Sequence, residues 1–325
     1  MTNPSSIAIT GGTGHLCNNL IKELLRLGFY VKALIRKTSV PFSHKNLTWI
    51  QGDLENSNAL EALIENCQAL IHSASAISLG EKDKNLVFHV NVTGTQHLIN
   101  ICKKSSIRFI YISSSTVSED PVNDEVFAEN RPYRKDKTFF YAWTKALAEQ
   151  KVIEAVNKDN LDACILRPTA IIGPEDNAPS PFGKTILDLH RGTLPFITDG
   201  GYNLVDVRDL VTTIISSISK AQKGHIYLLG GSYVSLKDLA TMANNTKVPK
   251  SIPIELLLFL LPIIKLYERL FSLKWPISKE SLTTLKKAPK NMDCSKASTV
   301  LGHENRPIQK TVDQLLTWCI HNKIE

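Results

Sequence analysis

The sequence predicts an α/β fold, a doubly wound parallel sheet carrying a smaller, mostly helical lobe. Three observations lead there. Short β-branched runs alternate with amphipathic stretches through the first half of the chain, and a glycine-rich turn joins the first strand to the first helix. After Pro168 the pattern gives way to Gly-, Pro- and Asp-rich segments and then to mainly helical periodicity. With 325 residues and 43% hydrophobic composition, the chain can bury a core for one large domain or two joined lobes. The division expected is residues 1–170 plus 204–232 for a dinucleotide-binding lobe, and 171–203 plus 233–325 for a substrate lobe.

The elements follow in order. "SIAIT" reads as a strand and "LCNNLIKELLRLG" as an amphipathic helix stopped by Gly28. "YVKALIR" and "LTWIQGD" read as strands and "NALEALIENC" as a helix. "ALIHSA", "VNVTGTQHLINICKKS" and "RFIYISSS" repeat the strand–helix–strand unit, which in a parallel sheet closes by right-handed crossovers. A helix over Tyr141–Val156 leads to the strand "DACILRP". Residues 172–203, with "IGPEDNAPSPFG" and "LPFITDGGYN", suit loops over a binding cleft. "LVDVRDLVTTIISSI" then resumes helical periodicity, and the remainder is mostly helical.

The formal charge of +7 reads as scattered Lys and Arg, as in "KKAPK" at 286–290, with part of it attracting an anionic cofactor. There is no long basic run and no aromatic–basic interleaving, so nucleic acid is not an expected partner. Six single cysteines, at 17, 67, 102, 164, 294 and 319, make neither a zinc framework nor a disulfide ladder and suit a reducing cytoplasm. The polar opening "MTNPSS" shows no signal peptide. "IPIELLLFLLPIIKLYERLF" at 252–271 is too interrupted to span a bilayer; a buried helix pair is expected, and a helix lying on a membrane surface is its alternative.

"IAITGGTGHLCNNLIKELL" places Gly11 and Gly14 between a strand and a helix. Glycines there let the backbone approach a pyrophosphate, and the helix start presents N–H groups and the positive end of its dipole. The spacing calls for a third glycine at position 17, where Cys17 stands; so small a side chain is expected to be accommodated. An acidic residue closing the second strand favours NAD, but "VKALIRKTS" ends in Arg36 and Lys37. Two cations there suit a 2′-phosphate, so NADP(H) is preferred and NAD(H) remains the second choice. Asp53 in "QGDLEN" lies near an adenine or caps the next helix.

"FFYAWTKALAEQ" carries Tyr141 and Lys145 four residues apart, on one face of a helix. A tyrosine so placed acts as acid or base toward an alcohol or carbonyl, and a neighbouring ammonium lowers its pKa. "FIYISSSTV" brings hydroxyl donors to the carboxyl end of a strand, where doubly wound sheets bind ligands.

With these pieces the chain resembles the extended short-chain dehydrogenase/reductases, or NAD-dependent epimerase/dehydratase superfamily, over nearly its whole length. The resemblance rests on "TGGTG" at 10–14, "GDL" at 52–54, "IHSAS" at 71–75, "NVTGT" at 91–95, "ISSS" at 112–115, "YAWTK" at 141–145 and "LRPTAIIGPED" at 166–176. "VKALIRK" and "DGGYNLVDVRDLV" at 199–211 resemble the branch with dihydroflavonol reductases, 3β-hydroxysteroid dehydrogenases and hopanoid-associated sugar epimerases. The resemblance implies a Rossmann fold with Tyr141 as acid/base, Lys145 as its ribose-binding partner and Ser114 as the catalytic serine. It sets Thr13, His15 and Leu16 along the pyrophosphate, Arg36 at the 2′-phosphate, and Asp53 and Leu54 beside the adenine. Ala74 and Ser75 then line the cofactor, and Pro168 and Ile171 pack near the nicotinamide. Ser115 and Thr116 are candidates for substrate contact, in a loop "TVSEDP" that departs from the family's usual "VYG". A homodimer paired through helices that include the Tyr141 helix is also implied.

Three features carry plainer readings beside functional ones. His72 reads as a packed strand-end residue rather than a catalyst. Asn91 reads equally as a helix-start residue or as part of a proton relay. Asp206, Arg208 and Asp209 in "VDVRD" read as ties between lobes before a role in substrate recognition. The expected activity is NADP(H)-dependent interconversion of a secondary alcohol and a ketone on a hydrophobic small molecule. A nucleotide-sugar epimerase or dehydratase that retains NAD, and a non-catalytic dinucleotide sensor or scaffold, are the two alternatives.

Overall fold

The computed structural model describes residues 6–37, 39–77, 83–122, 125–244, 246–271 and 278–324, with side chains except at 266–271. The opening at 1–5 and the final third of the apolar stretch at 252–271 therefore lie, wholly or in their side chains, outside the described residues.

The first half alternates as its sequence pattern requires: β1 (Ser6–Thr10), α1 (His15–Arg26), β2 (Tyr30–Ile35), β3 (Leu47–Gln51), α2 (Ser57–Ile64), β4 (Ala69–His72), α3 (Lys84–Phe88), α4 (Gly94–Ser105), β5 (Arg108–Ile112), α5 (Phe140–Asp159) and β6 (Ala163–Pro168). A π-helical turn, His89–Thr93, fuses α3 to α4. After a short β7 (Ala170–Ile172) come α6 (Pro181–Arg191), β8 (Phe196–Thr198), β9 (Gly201–Asp206), α7 (Val207–Lys220) and β10 (Ile226–Leu229). The chain closes with β11 (Ser232–Ser235), α8 (Leu236–Ala243), β12 (Lys250–Ile252), α9 (Ile254–Phe271), α10 (Lys279–Lys286), α11 (Ser295–Leu301) and α12 (Ile308–His321).

Seven parallel strands form the main sheet in the order β10-β6-β5-β4-β1-β2-β3. Strand alternation sorts its two faces. Ile7, Ile9, Ile110 and Leu166 point into one apolar cluster with α1, α7 and α11, whereas Ala8, Phe109, Tyr111 and Ile165 point into another with α2, α4 and α5. Strand order reverses between β1 and β4, which opens a crevice at their carboxyl ends, the usual ligand position in such sheets.

A second core lies over that end, from Ile186 and Leu189 of α6, Leu239 of α8, Ile254 and Leu257 of α9, and Val312 and Leu315 of α12. Two small sheets, β11-β9-β7 and β12-β8, frame it. The chain crosses between layers repeatedly. Ala297 and Leu301 of α11 join the main-sheet core, while β9 pairs with β7 and β11 in a small sheet.

Three expectations are corrected. Residues 172–203 hold α6 and β8 as well as loops, because Ser180 caps a helix on Gly183 N–H with Pro181 at its first turn. Leu204–Asp206 continue strand β9, and the helix starts only at Val207, with Asp206 as its N-cap. The stretch at 252–271 is not a buried helix pair: α9 runs straight through Pro262 and turns Leu256, Phe259 and Ile263 outward.

Candidate active site

The turn after β1 is shaped for close approach. Gly11 takes φ +79°, and a Cβ there would meet the Ala74 nitrogen at 2.8 Å. Gly14 is the N-cap of α1, and no side chain caps the N–H groups of that first turn. A non-glycine cradle is thus impossible at Gly11, and the helix start is left with donors to offer, as a pyrophosphate requires. The residues present fit a dinucleotide. Cys17 sits inward in α1 with its thiol against the Thr10 carbonyl at 3.6 Å, and burial pushes its pKa up to about 11. At the position of the third glycine the chain thus places a buried core residue.

Beside this turn lies a cavity of about 540 Å³. Of the residues expected at the site, His15, Leu16, Ser75, Ser114, Ser115, Thr116, Tyr141, Lys145, Pro168 and Ile171 all line it. Arg36 and Lys37 stand exposed beyond the end of β2, away from the cavity. Asp53 is exposed and accepts from the Glu55 and Asn56 N–H groups; Asn56, not Asp53, caps α2. The Leu54 side chain is buried in the core against Gly94.

Tyr141 opens α5, one turn before Lys145. Burial raises the pKa of its phenol above the ordinary value, and hydrogen bonds to Ser75 and Ser114 pull it back. The expected lowering by Lys145 is not what this arrangement provides. The Lys145 ammonium donates to the Ile112 carbonyl at 2.7 Å and stands 4.3 Å over the Tyr111 ring. Burial brings that ammonium down to about 7, with the Glu149 carboxylate opposing the shift. Ser114 ends the strand segment after β5 and shares a 2.9 Å hydrogen bond with the Thr116 hydroxyl. A phenol between two serine hydroxyls, facing a cavity, can pass a proton to or from a bound oxygen.

Asn91 is not a helix-start residue. It lies inside the π-helical turn, accepts from Ser75 Oγ at 3.1 Å and from the Ala76 N–H at 2.8 Å, and donates to Thr144 Oγ1 at 3.1 Å. Tyr141, Ser75, Asn91 and Thr144 therefore form one polar run beside the cavity. His72 is buried between the Thr10 and Thr95 hydroxyls at 2.7 and 3.0 Å, and burial holds its pKa well below the ordinary value. Asp206 binds Arg208 and Thr311, and Asp209 binds Arg306, so these charges tie α7 to α12 and the segment before it.

Sequence reasoning missed the buried pair Glu149–Arg167 behind the site. Glu149 accepts from Ser113 Oγ and the Tyr133 hydroxyl as well as from Arg167. Two signals pointed to it: Glu149 continues the four-residue stripe of Tyr141 and Lys145, and Arg167 is a charge inside a strand buried throughout. Also missed was Arg134, which binds Asp120 and the Thr116 and Ser118 carbonyls and so fixes the loop after Ser115. The outer walls are largely apolar, from Ile77, Phe127, Phe139, Phe182 and Pro289.

Comparison with known proteins agrees with this geometry. The sequence profile of the NAD dependent epimerase/dehydratase family matches residues 7–230. A Synechocystis protein provisionally named dihydroflavonol 4-reductase is 33% identical over 250 residues, 74% of this chain and 72% of that one. Sterol demethylase protein B of Methylococcus capsulatus is 32% identical over 235 residues, 70% of each chain. The crystal structure of gox2253 superposes with a TM-score of 0.85 at 26% identity, covering 98% of this chain and 99% of the other.

Proposed function

Because the chain is an enzyme of the NAD dependent epimerase/dehydratase family, we propose that it is an NADP(H)-dependent oxidoreductase interconverting a secondary alcohol and a ketone on a hydrophobic small molecule. The observation that carries this reading is that Ser114, Tyr141 and Lys145 share a cavity whose outer walls are largely apolar. The nicotinamide supplies the hydride chemistry when bound. Tyr141 gives or takes the proton on the substrate oxygen, and Ser114 orients that oxygen by hydrogen bond. Lys145 holds the nicotinamide ribose, exchanging its Ile112 carbonyl for a ribose hydroxyl. The Gly11–Leu16 turn receives the pyrophosphate, Arg36 and Lys37 the 2′-phosphate, and Asp53 and Leu54 border the adenine. Ala74, Pro168 and Ile171 wall the nicotinamide side, and Ser115 and Thr116 touch substrate. The sterol and flavonoid names of two relatives favour a flat, apolar substrate over a nucleotide sugar. A homodimer paired through α5 and a cytoplasmic location belong to the same proposal; all six cysteines are unpaired.

The test is titration of the purified protein with NADPH and NADH, followed by nicotinamide fluorescence, after checking for nucleotide retained through purification. Exchangeable binding with a clear preference for NADPH, and turnover of hydrophobic ketones, is expected. Tightly retained NAD overturns the NADP(H) assignment and favours a sugar epimerase or dehydratase. Binding of neither nucleotide favours a non-catalytic scaffold.

A further inference from the structure

The positive charge of this chain is not scattered. Residues 247–290 carry nine Lys and Arg against three Asp and Glu, a net of +6, while the whole chain carries only +7. The same stretch contains α9. Its inner residues Ile254 and Leu257 are buried in the second core, whereas Leu256, Phe259 and Ile263 are 47%, 78% and 63% exposed. Their spacing of three and four puts them in one stripe along the helix. Phe259 is the most exposed large hydrophobic side chain among the described residues.

The cations surround that stripe. Lys250 lies in β12 just before the helix, Lys265 lies on it, and Lys286 ends α10, which packs alongside, with Lys287 directly after it. Lys286 joins Glu255 across the two helices at 2.5 Å, holding α9 and α10 as one unit. We propose that the outer face of α9 and α10 docks on an anionic lipid bilayer, with Leu256, Phe259 and Ile263 entering the acyl boundary and the lysines meeting the headgroup phosphates. An apolar stripe rimmed by lysines is the pattern of an interfacial helix. A protein–protein contact centre is instead depleted of lysine. No described helix is long and apolar enough to cross a membrane, so the contact lies along the surface.

The placement has a consequence for the cavity. Glu280 and Thr284 of α10, with Lys287, Ala288 and Pro289 after it, line the cavity wall. Docking therefore sets one wall of the cavity beside the bilayer, and an apolar substrate enters from the lipid. This last step rests on the oxidoreductase reading; the docking itself does not.

The experiment is sedimentation of the full chain with vesicles of phosphatidylcholine alone and of phosphatidylcholine with about 25% phosphatidylglycerol. Binding to the anionic vesicles, weakening as NaCl is raised, is expected. Phe259→Asp lowers that partition roughly tenfold or more, and Lys250→Gln lowers it roughly fivefold. Both variants keep the wild-type melting curve and nucleotide affinity. Absence of wild-type binding, or equal binding by Phe259→Asp, overturns the proposal. So does a shift from dimer to monomer in Phe259→Asp on gel filtration with vesicle binding unchanged, since a second copy then covers the stripe. Failure to turn over any ketone leaves the vesicle result standing and counts only against the oxidoreductase reading.

Discussion

Glu149 and Arg167 meet at 2.5 Å behind the cavity with their side chains 0% and 1% exposed, joining helix α5 to strand β6. The pair fixes the relative position of three site components: Lys145 one turn back on α5, Ser113 next to Ser114, and Arg167 next to Pro168. Removing one member of so buried a pair strands the other charge, at a cost of about 3–5 kcal/mol. Glu149→Gln is therefore expected to lower the thermal midpoint by roughly 10 °C. Adding Arg167→Met recovers part of the loss, as seen by thermal unfolding; no recovery in the double variant would mean that the packing of the site, not the stranded charge, sets the cost.

Tyr141→Phe removes the proton carrier and keeps the ring. Turnover is expected to fall roughly 10²–10⁴-fold with nucleotide affinity nearly unchanged. Ser114→Ala, which loses only the orienting hydroxyl, falls roughly 10²–10³-fold. Steady-state kinetics with an identified ketone decides the matter, and near-normal turnover of Tyr141→Phe would refute its role.

Arg36→Ala tests the 2′-phosphate assignment. A charged hydrogen bond is worth about 1.5–3 kcal/mol, so NADPH affinity should drop roughly tenfold to hundredfold while NADH is little affected. Equal losses for both nucleotides, read by fluorescence titration, remove Arg36 from that role.

Burial carries Lys145 from an ordinary 10.5 down to about 7. Between those values the unfolded chain holds the proton that the nucleotide-free folded chain has released, so stability rises with pH across that window. Below about pH 7 both states are protonated and the full penalty, on the order of 5 kcal/mol, is present. Lys145→Met removes it. The variant should be more stable than wild type at low pH, with the advantage shrinking toward pH 10.5 in urea titrations. A difference that does not change with pH would show that Lys145 is not held charged in a dry site.

Cys17 is predicted to be inert in the folded chain, because its thiol is buried and its pKa is raised to about 11. Thiol reagents should label it only on unfolding. Cys17→Gly is expected to destabilise by about 1–2 kcal/mol, from helix propensity and a lost core group, without tightening nucleotide binding. A gain in affinity would show that the cysteine had been distorting the turn.

The sheet was legible because most of its strands are short and alternate with helices, and because burial on both faces leaves the central strands as continuous apolar runs. "IAIT" and "CIL" show this directly, buried at every position. Tyr141 and Lys145 were legible for another reason, a fixed local spacing on one helix. What stayed hidden depends on contacts far apart in sequence. Arg167 reads as an ordinary strand-end charge until Glu149, 18 residues earlier, is brought against it. Lys145 and Tyr141 share a helix face, yet which carbonyl receives the ammonium is decided by Ile112, 33 residues away. Helix α6 was obscured by its own start signals, since a serine–proline cap inside a Gly/Pro-rich stretch looks like more loop.

The start of α1 is latched to the loop after β7. His15 Nε2 shares a 2.9 Å hydrogen bond with the Pro174 carbonyl, Asn18 donates to Glu175 at 3.2 Å, and Lys22 pairs with the same carboxylate. That loop connects Ile171 to Ser180 and Phe182, all three of which line the cavity. A nucleotide on the α1 terminus and a substrate in the cavity would therefore meet opposite ends of one loop. If occupancy at either end changes affinity at the other, it does so by the same factor in both directions, and the latch would then make the order in which the two ligands arrive and leave a property of the scaffold as well as of the chemistry.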